Sequence, residues 1–97
     1  MNLLLQLARQ AIQTKLENKQ LKIPEKIKTQ YSKKQACFVT LTILGELRGC
    51  IGSLLPRQEL WKDIIENAIN AAFNDPRFPE LTKSELAKIK IEISILT

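Results

Sequence analysis

Two runs of β-favouring residues, Ala36 to Leu44 and Leu47 to Leu54, are separated by only Gly45 and Glu46. A two-residue gap leaves no room for a crossover, so the runs are constrained to pair antiparallel as a β-hairpin. A loop with glycine first suits a type II′ turn. That turn sets a register with Leu44 opposite Leu47 and Leu41 opposite Cys50. Side chains alternate between faces, so Cys37, Val39, Leu41 and Ile43 are expected on one face with Arg48, Cys50, Gly52 and Leu54. The two cysteines then stand too far apart along the ladder for a disulfide and are expected as free thiols.

The rest of the chain supplies what the hairpin packs against. Leu4, Leu5, Ala8, Ala11, Ile12 and Leu16 recur at helical spacing, which predicts an amphipathic helix over 3–17 with Asn2 as its cap. Leu60, Trp61, Ile64, Ile65, Ala68, Ala71 and Ala72 form the buried stripe of a second helix over 58–74, stopped by Pro76. Thr82-Lys83-Ser84-Glu85 reads as a capping box opening a short helix. Ile89, Ile91, Ile93 and Ile95 alternate with Lys90, Glu92 and Ser94, which marks a half-buried strand over 89–96. The 97 residues suit one domain. The expected class is α+β, an antiparallel sheet of hairpin 36–54 and strand 89–96 against helices 3–17 and 58–74. Isoleucines so close to the end of a small domain call for cover, either from its interior or from a second copy over Ile89, Ile91, Ile93 and Ile95.

Composition removes several classes of chemistry. With no histidine and two cysteines, the chain cannot by itself build a Cys₂His₂ or Cys₄ zinc site. Nor can it supply a Cys-His or Ser-His nucleophilic pair. No oxygen-ligand cluster for a metal stands out, and no cofactor motif is present: the glycines form neither a phosphate loop nor a dinucleotide fingerprint. No apolar run approaches the roughly 20 residues that span a bilayer. The N-terminal leucines lack the basic lead of a signal peptide. Two cysteines suit a reducing compartment, and a cytoplasmic location is the expectation.

The net charge of +5 is unevenly spread. Residues 1–35 hold eight Lys and Arg against two Glu; residues 36–97 hold seven against eight acids. The excess lies in the Lys-rich 19–34 segment, at Lys19, Lys22, Lys26, Lys28, Lys33 and Lys34. Pro24 breaks any helical pattern there, and an exposed connection with room for one short turn is expected. Only Tyr31 among the aromatic residues lies among these lysines, and no arginine does, whereas nucleic-acid platforms interleave both. A solvated segment is therefore favoured over a nucleic-acid surface.

Two segments are candidates for function. In Arg48-Gly49-Cys50-Ile51-Gly52, two glycines within a strand mark a bulge or a close approach of backbone or ligand. Arg48 and Cys50, two apart, are expected on one face, where a guanidinium would favour thiolate. Cys50 is then a candidate nucleophile, redox thiol or modified residue, with Arg48 its electrostatic partner. The structural alternative is a buried cysteine, a tight sheet–helix contact at the glycines and an internally paired arginine. In Asp75-Pro76-Arg77-Phe78-Pro79, two prolines stiffen a loop that displays Asp75 and Arg77, and Arg77 is suited to a carboxylate or phosphate. The alternative is an Asp75–Arg77 pair at a helix end, with Phe78 plugging the core. Trp61 reads as core. Asp63, Glu66 and Glu85 are scattered and form no obvious acid–base pair.

Phe38-Val39-Thr40-Leu41, Leu47 to Gly52, Ala71-Ala72-Phe73 with Asp75 to Pro79, and Ile91-Glu92-Ile93-Ser94 follow one another in the order and spacing of a known family. Together they resemble the AMMECR family, whose prokaryotic members are called AmmeMemoRadiSam system protein A. The similarity covers nearly the whole chain, and Arg-Gly-Cys-Ile-Gly is its most specific mark. It implies an α+β fold with a cleft near that motif. It also implies association with radical S-adenosylmethionine and Memo-like proteins, while the family's reaction is unsettled. Similar domains continue past the isoleucine strand into a second half, so this chain reads as a short or truncated member. Glu80 stands where the family commonly has proline. Three readings follow: a component of a modification system acting through Cys50 and Arg48 with Arg77 as an anion-binding group; a non-catalytic module binding protein or anion through Arg48, Gly49, Cys50, Ile51, Gly52, Asp75 and Arg77; and, more weakly, nucleic-acid binding through the Lys-rich 19–34 segment.

Overall fold

A computed structural model describes residues 2–96. In chain order they form α1 (Leu3–Leu16), α2 (Glu25–Gln30), β1 (Cys37–Ile43), β2 (Glu46–Gly52), α3 (Leu60–Phe73), α4 (Lys83–Leu86) and β3 (Lys90–Ile95). The strands make one antiparallel sheet in the order β2-β1-β3. Helix α3 packs on β1 and β2, and α1 packs on α3 and β3. Leu7, Ile12, Val39, Leu41, Leu60 and Ile64 are fully buried between these layers. Burying each such side chain stabilises the fold by roughly 1.5–3 kcal/mol. The expected α+β class holds, with element ends displaced by one or two residues.

Helix α1 begins where the Asn2 side chain accepts the Leu4 N–H at 2.7 Å, satisfying one of the orphan donors of a first turn. It ends with Asn18 at a φ of 54°. There the N–H of Lys19 reaches the Thr14 carbonyl and that of Asn18 the Lys15 carbonyl, which is the Schellman closure. The lysine segment is more ordered than expected. Pro24, with its fixed φ, opens α2, whose Ile27 is buried in the core. At α4 the capping box is formed by Thr82 and Glu85 as the sequence predicts.

The hairpin corrects the expected register. Leu44 and Gly45 have φ values of 52° and 80°, so the loop is Leu44-Gly45, with the two positive φ angles of a type I′ turn rather than a type II′ turn at Gly45-Glu46. Glycine serves equally at the second central position, and the shift has a core-side reward. Leu41 now faces Gly49 and Thr40 faces Cys50, while Leu47 pairs with Thr42 instead of Leu44. A bulge at Leu41/Thr42 leaves Arg48 as the extra residue on β2. The expected common face of Cys37, Val39 and Leu41 with Cys50 is therefore wrong. Gly49, not Cys50, meets the helix layer.

In β3 the isoleucines divide. Ile89 and Ile91 are buried by the chain itself, whereas Ile93 is half-buried and Ile95 is 40% exposed. The need for outside cover shrinks from four residues to two.

Candidate functional site

Strand β2 lies at the sheet edge, so alternate backbone groups point away from β1. The loop after α3 takes up those of Cys50. Asp75, expected on display, is buried, and its Oδ2 accepts the Cys50 N–H at 3.1 Å. The same carboxylate accepts Arg77 Nε at 3.0 Å, Nη2 at 2.8 Å and the Arg77 backbone N–H at 3.1 Å. Arg77 Nη2 also leans on the Cys50 carbonyl at 3.4 Å. The Arg77 side-chain bonds, and behind them the backbone N–H donors of Cys50 and Arg77, hold the Asp75 carboxyl well below the usual range against the opposing effect of burial. Asp75 reciprocally raises the Arg77 guanidinium. The Asp75–Arg77 pair of the structural alternative is thus present, yet it leaves the Arg77 side chain 56% exposed beside Cys50. The ring of Phe78 lies 5.8 Å from Arg48 and 5.4 Å from Arg77, between two guanidinium groups instead of in the main core.

Arg48 is committed elsewhere. Its Nε and Nη2 grip the two oxygens of Glu85 at 2.8 and 3.0 Å, and Nη2 reaches the Pro79 carbonyl at 2.8 Å. Glu85 is the capping-box glutamate of α4 and also accepts the Thr82 N–H at 3.0 Å. Arg48 therefore ties β2 to the loop before α4 and to α4 itself. Its Nη1 is buried without a partner among the described residues. The hydrogen bond from Arg48 and the backbone donor of Thr82 lower the Glu85 carboxyl to about 2 despite partial burial. No described hydrogen bond or ion pair joins Arg48 to Cys50, and the expected thiolate partnership is corrected: the bulge that adds Arg48 directs it to α4.

The two thiols differ. Cys50 is half-buried on the sheet face away from the helices, its Sγ 3.2 Å from the Thr40 hydroxyl. Cys37 is fully buried. Its thiol donates to Asp63 Oδ2 at 3.3 Å, and burial pushes it up to about 12. Both are free, as expected. Gly49 and Gly52 earn their place by close approach. A Cβ on Gly49 would overlap the Ala71 carbonyl oxygen, and one on Gly52 would overlap the Phe38 ring.

A polar cluster centred on Asp63 was not foreseen. Asp63 is fully buried and accepts from the Cys37 N–H, Ser53 Oγ at 2.6 Å, Arg57 Nε, Gln58 Nε2 and Asn67 Nδ2. Burial raises its carboxyl, but these donors outweigh burial and the net shift is downward. Asn67, also fully buried, donates to the Cys37 carbonyl at 3.0 Å while its Oδ1 has no partner among the described residues. The cluster pins the Ser53–Gln58 loop to β1 and α3. Asp63 and Asn67 lie four apart, within the apolar stripe of α3, and that placement was the available signal. An open groove of about 670 Å³ runs between this loop and α3. It is lined by Ile51 and Gly52 of the glycine-rich segment and by Leu54, Arg57, Asn67 and Asn70. Among the described residues no group of three His, Cys, Asp or Glu side chains converges to hold a metal, and no helix is long and apolar enough to cross a membrane.

The motif, its bulge and its bracing loop fall inside one family model, AMMECR1, which matches residues 5–97. The chain belongs to the AMMECR1 family. It is 41% identical over 95 residues to Protein NEQ441 of Nanoarchaeum equitans, covering 97% of this chain and 53% of that one. An Aquifex aeolicus protein is 43% identical over 96 residues, covering 97% and 49%. Protein MK0488 of Methanopyrus kandleri is 48% identical over 98 residues, covering 97% and 47%. The crystal structure of uncharacterized protein PH0010 from Pyrococcus horikoshii superimposes with a TM-score of 0.89 at 36% identity, over 97% of this chain and 49% of that one. This AMMECR1 chain thus spans about half the length of the relatives it matches.

Proposed function

We propose that this AMMECR1 domain is a non-catalytic binding module that presents Arg77, with Cys50 and Thr40 beside it, to an acidic group on a protein partner. One observation carries the reading: Asp75 holds the Cys50 N–H and the Arg77 side chain at once. The guanidinium is thereby fixed against the edge of β2 yet remains half-exposed. Asp75 and the Cys50 carbonyl take up Nε and Nη2, and the two N–H donors of Nη1 are the ones offered to a carboxylate or phosphate oxygen. Arg48 supports the surface from behind through Glu85 and Pro79. The resemblance supplies the partner class: radical S-adenosylmethionine and Memo-like proteins of a modification system, offering an acidic patch to Arg77.

The test is a titration of the domain with inorganic phosphate and with a polyglutamate peptide, followed by NMR at Arg77 Nε and the Cys50 amide. Saturable shifts that vanish in Arg77→Ala and persist in Cys50→Ser support the module. Shifts that survive Arg77→Ala sink it. If Cys50→Ser alone abolishes capture of the partner, the thiol reading takes its place.

A further inference from the structure

The fold removes the objection that the lysine-rich segment has no aromatic platform. Trp61, distant in sequence, is brought into the middle of it. Residues 31–34 run along the start of α3: the Trp61 N–H donates to the Tyr31 carbonyl at 3.3 Å, and the Leu60 N–H to the Lys33 carbonyl at 3.0 Å. Lys34 bridges Glu59 through the backbone. Two ammonium groups stand over the indole, Lys28 Nζ at 5.7 Å and Lys62 Nζ at 5.4 Å from the ring centroid. The indole is anchored in the core yet keeps part of its surface exposed. Lysines of α2 and α3 thus stand over one half-exposed indole, and the backbone of Lys33 and Lys34 runs beside the start of α3.

We propose that this surface binds single-stranded nucleic acid, one base stacking on Trp61 and the neighbouring phosphates meeting Lys28, Lys33, Lys34 and Lys62. Stacking of a base on an aromatic ring, with cations tracking the backbone, is how single strands are held without sequence preference. The facing acids are Glu25, 3.7 Å from Lys28, and Glu59, 3.5 Å from Lys62. Both are exposed pairs between residues three apart, which bind their lysines weakly and yield to a phosphate. A duplex is disfavoured because its bases are already stacked on one another and cannot lie on the indole. An anionic membrane is disfavoured because the indole is wedged into the core and not projected as an apolar anchor. The site is separate from the Arg77 surface and stands or falls independently of it.

Trp61 is the sole tryptophan, so its fluorescence reports directly on the site. Oligothymidylate of about 12 nucleotides, within the usual footprint of such platforms, is expected to quench it at 50 mM salt. Three or four phosphate contacts predict a roughly twenty- to fiftyfold loss of affinity between 50 and 200 mM salt. Lys28→Glu with Lys62→Glu should abolish quenching without changing the circular dichroism. Trp61→Leu, read by anisotropy of labelled oligonucleotide, should weaken binding at least fivefold while leaving heparin binding unchanged. Absence of quenching at 50 mM salt, equal loss of heparin and oligonucleotide in Trp61→Leu, or phosphatidylserine vesicles outcompeting the oligonucleotide would each overturn the proposal. Should Trp61→Leu fail to fold, the lysine variant and the salt slope decide.

Discussion

Gly49 of β2 rests directly against the backbone carbonyl of Ala71 in α3, leaving no volume for even a methyl group between sheet and helix. The contact joins the motif strand to the helix that carries the buried polar cluster. The obstacle to a larger residue is backbone, so no rotamer change can relieve it. Gly49→Ala is therefore expected to destabilise the domain by about 2–3 kcal/mol, the scale of overpacking in a closed interior. Urea denaturation followed by Trp61 fluorescence measures it. A loss under about 0.5 kcal/mol, the range of neutral surface substitutions, would show that α3 can move away freely.

Glu85 joins β2 to the cap of α4 through one carboxylate, and its ionisation carries a pH dependence. Its carboxyl falls from 4.5 to about 2 in the fold, held chiefly by Arg48. A group depressed in this way stabilises the folded state fully above its unfolded value, and that contribution is lost as pH falls from about 4.5 through about 2. The carboxylate is about a quarter exposed, so screening reduces the effect. Glu85→Gln is expected to cost about 1–2 kcal/mol at pH 7. The difference between variant and parent should shrink steadily below pH 4.5. Thermal melts across pH 2–7 give the comparison, and a constant difference would mean that Arg48 draws its stability from Pro79 and Phe78 instead.

Much of this fold could be read from spacing. The Asn2 cap, the Thr82–Glu85 capping box, the stripe of α3 and the alternation of β3 all follow local rules that need no knowledge of the partner element. The site was legible as a place and not as a geometry. Two strand glycines correctly announced a bulge and a close approach, but which glycine meets the helix depends on a one-residue choice of turn at Leu44-Gly45. That choice is settled by packing against α3, a contact between residues over twenty positions apart. The Arg48–Glu85 pair and the Asp75–Cys50 bond span 37 and 25 residues, and no local pattern encodes such pairings. The same holds for Trp61 among the lysines: helical spacing put it on the core-facing stripe, where it is only partly buried, and the docking of residues 31–34 shows which charges border its exposed part.

The two thiols should separate cleanly by chemistry. Cys37 is sealed, and burial lifts its thiol from 9.0 to about 12, whereas Cys50 is half-exposed beside Thr40. A disulfide-exchange reagent at pH 8 is expected to titrate one thiol per native chain and two after denaturation. Cys50→Ser should leave none in the native state. A group raised in the fold stabilises fully below its unfolded value and loses that contribution as pH rises through the folded one. Stability should accordingly decline between pH 9 and 12, less steeply in Cys37→Ala once its cavity cost is subtracted. Rapid modification of both native thiols would mean that β1 opens from Asp63 on the timescale of the reaction.

Leu44 marks a position where local preference has been overruled. It is 98% exposed and sits at a φ of 52°, a conformation that crowds Cβ against the carbonyl in any L-residue with a bulky side chain. It makes no compensating packing at that exposure, so the strain is tolerated only because Gly45 and the flanking ladder fix the turn. Asparagine adopts this conformation readily, and Asn-Gly is the favoured pair of a type I′ hairpin. Leu44→Asn is expected to stabilise the domain by about 0.5–1 kcal/mol, raising Tm by a few degrees for a chain of this size. It should do so without altering the Cys50 amide shift, because the bulge at Arg48 lies between the turn and the site. A neutral or destabilising result would indicate that the exposed leucine is held in place by a surface that covers the hairpin tip.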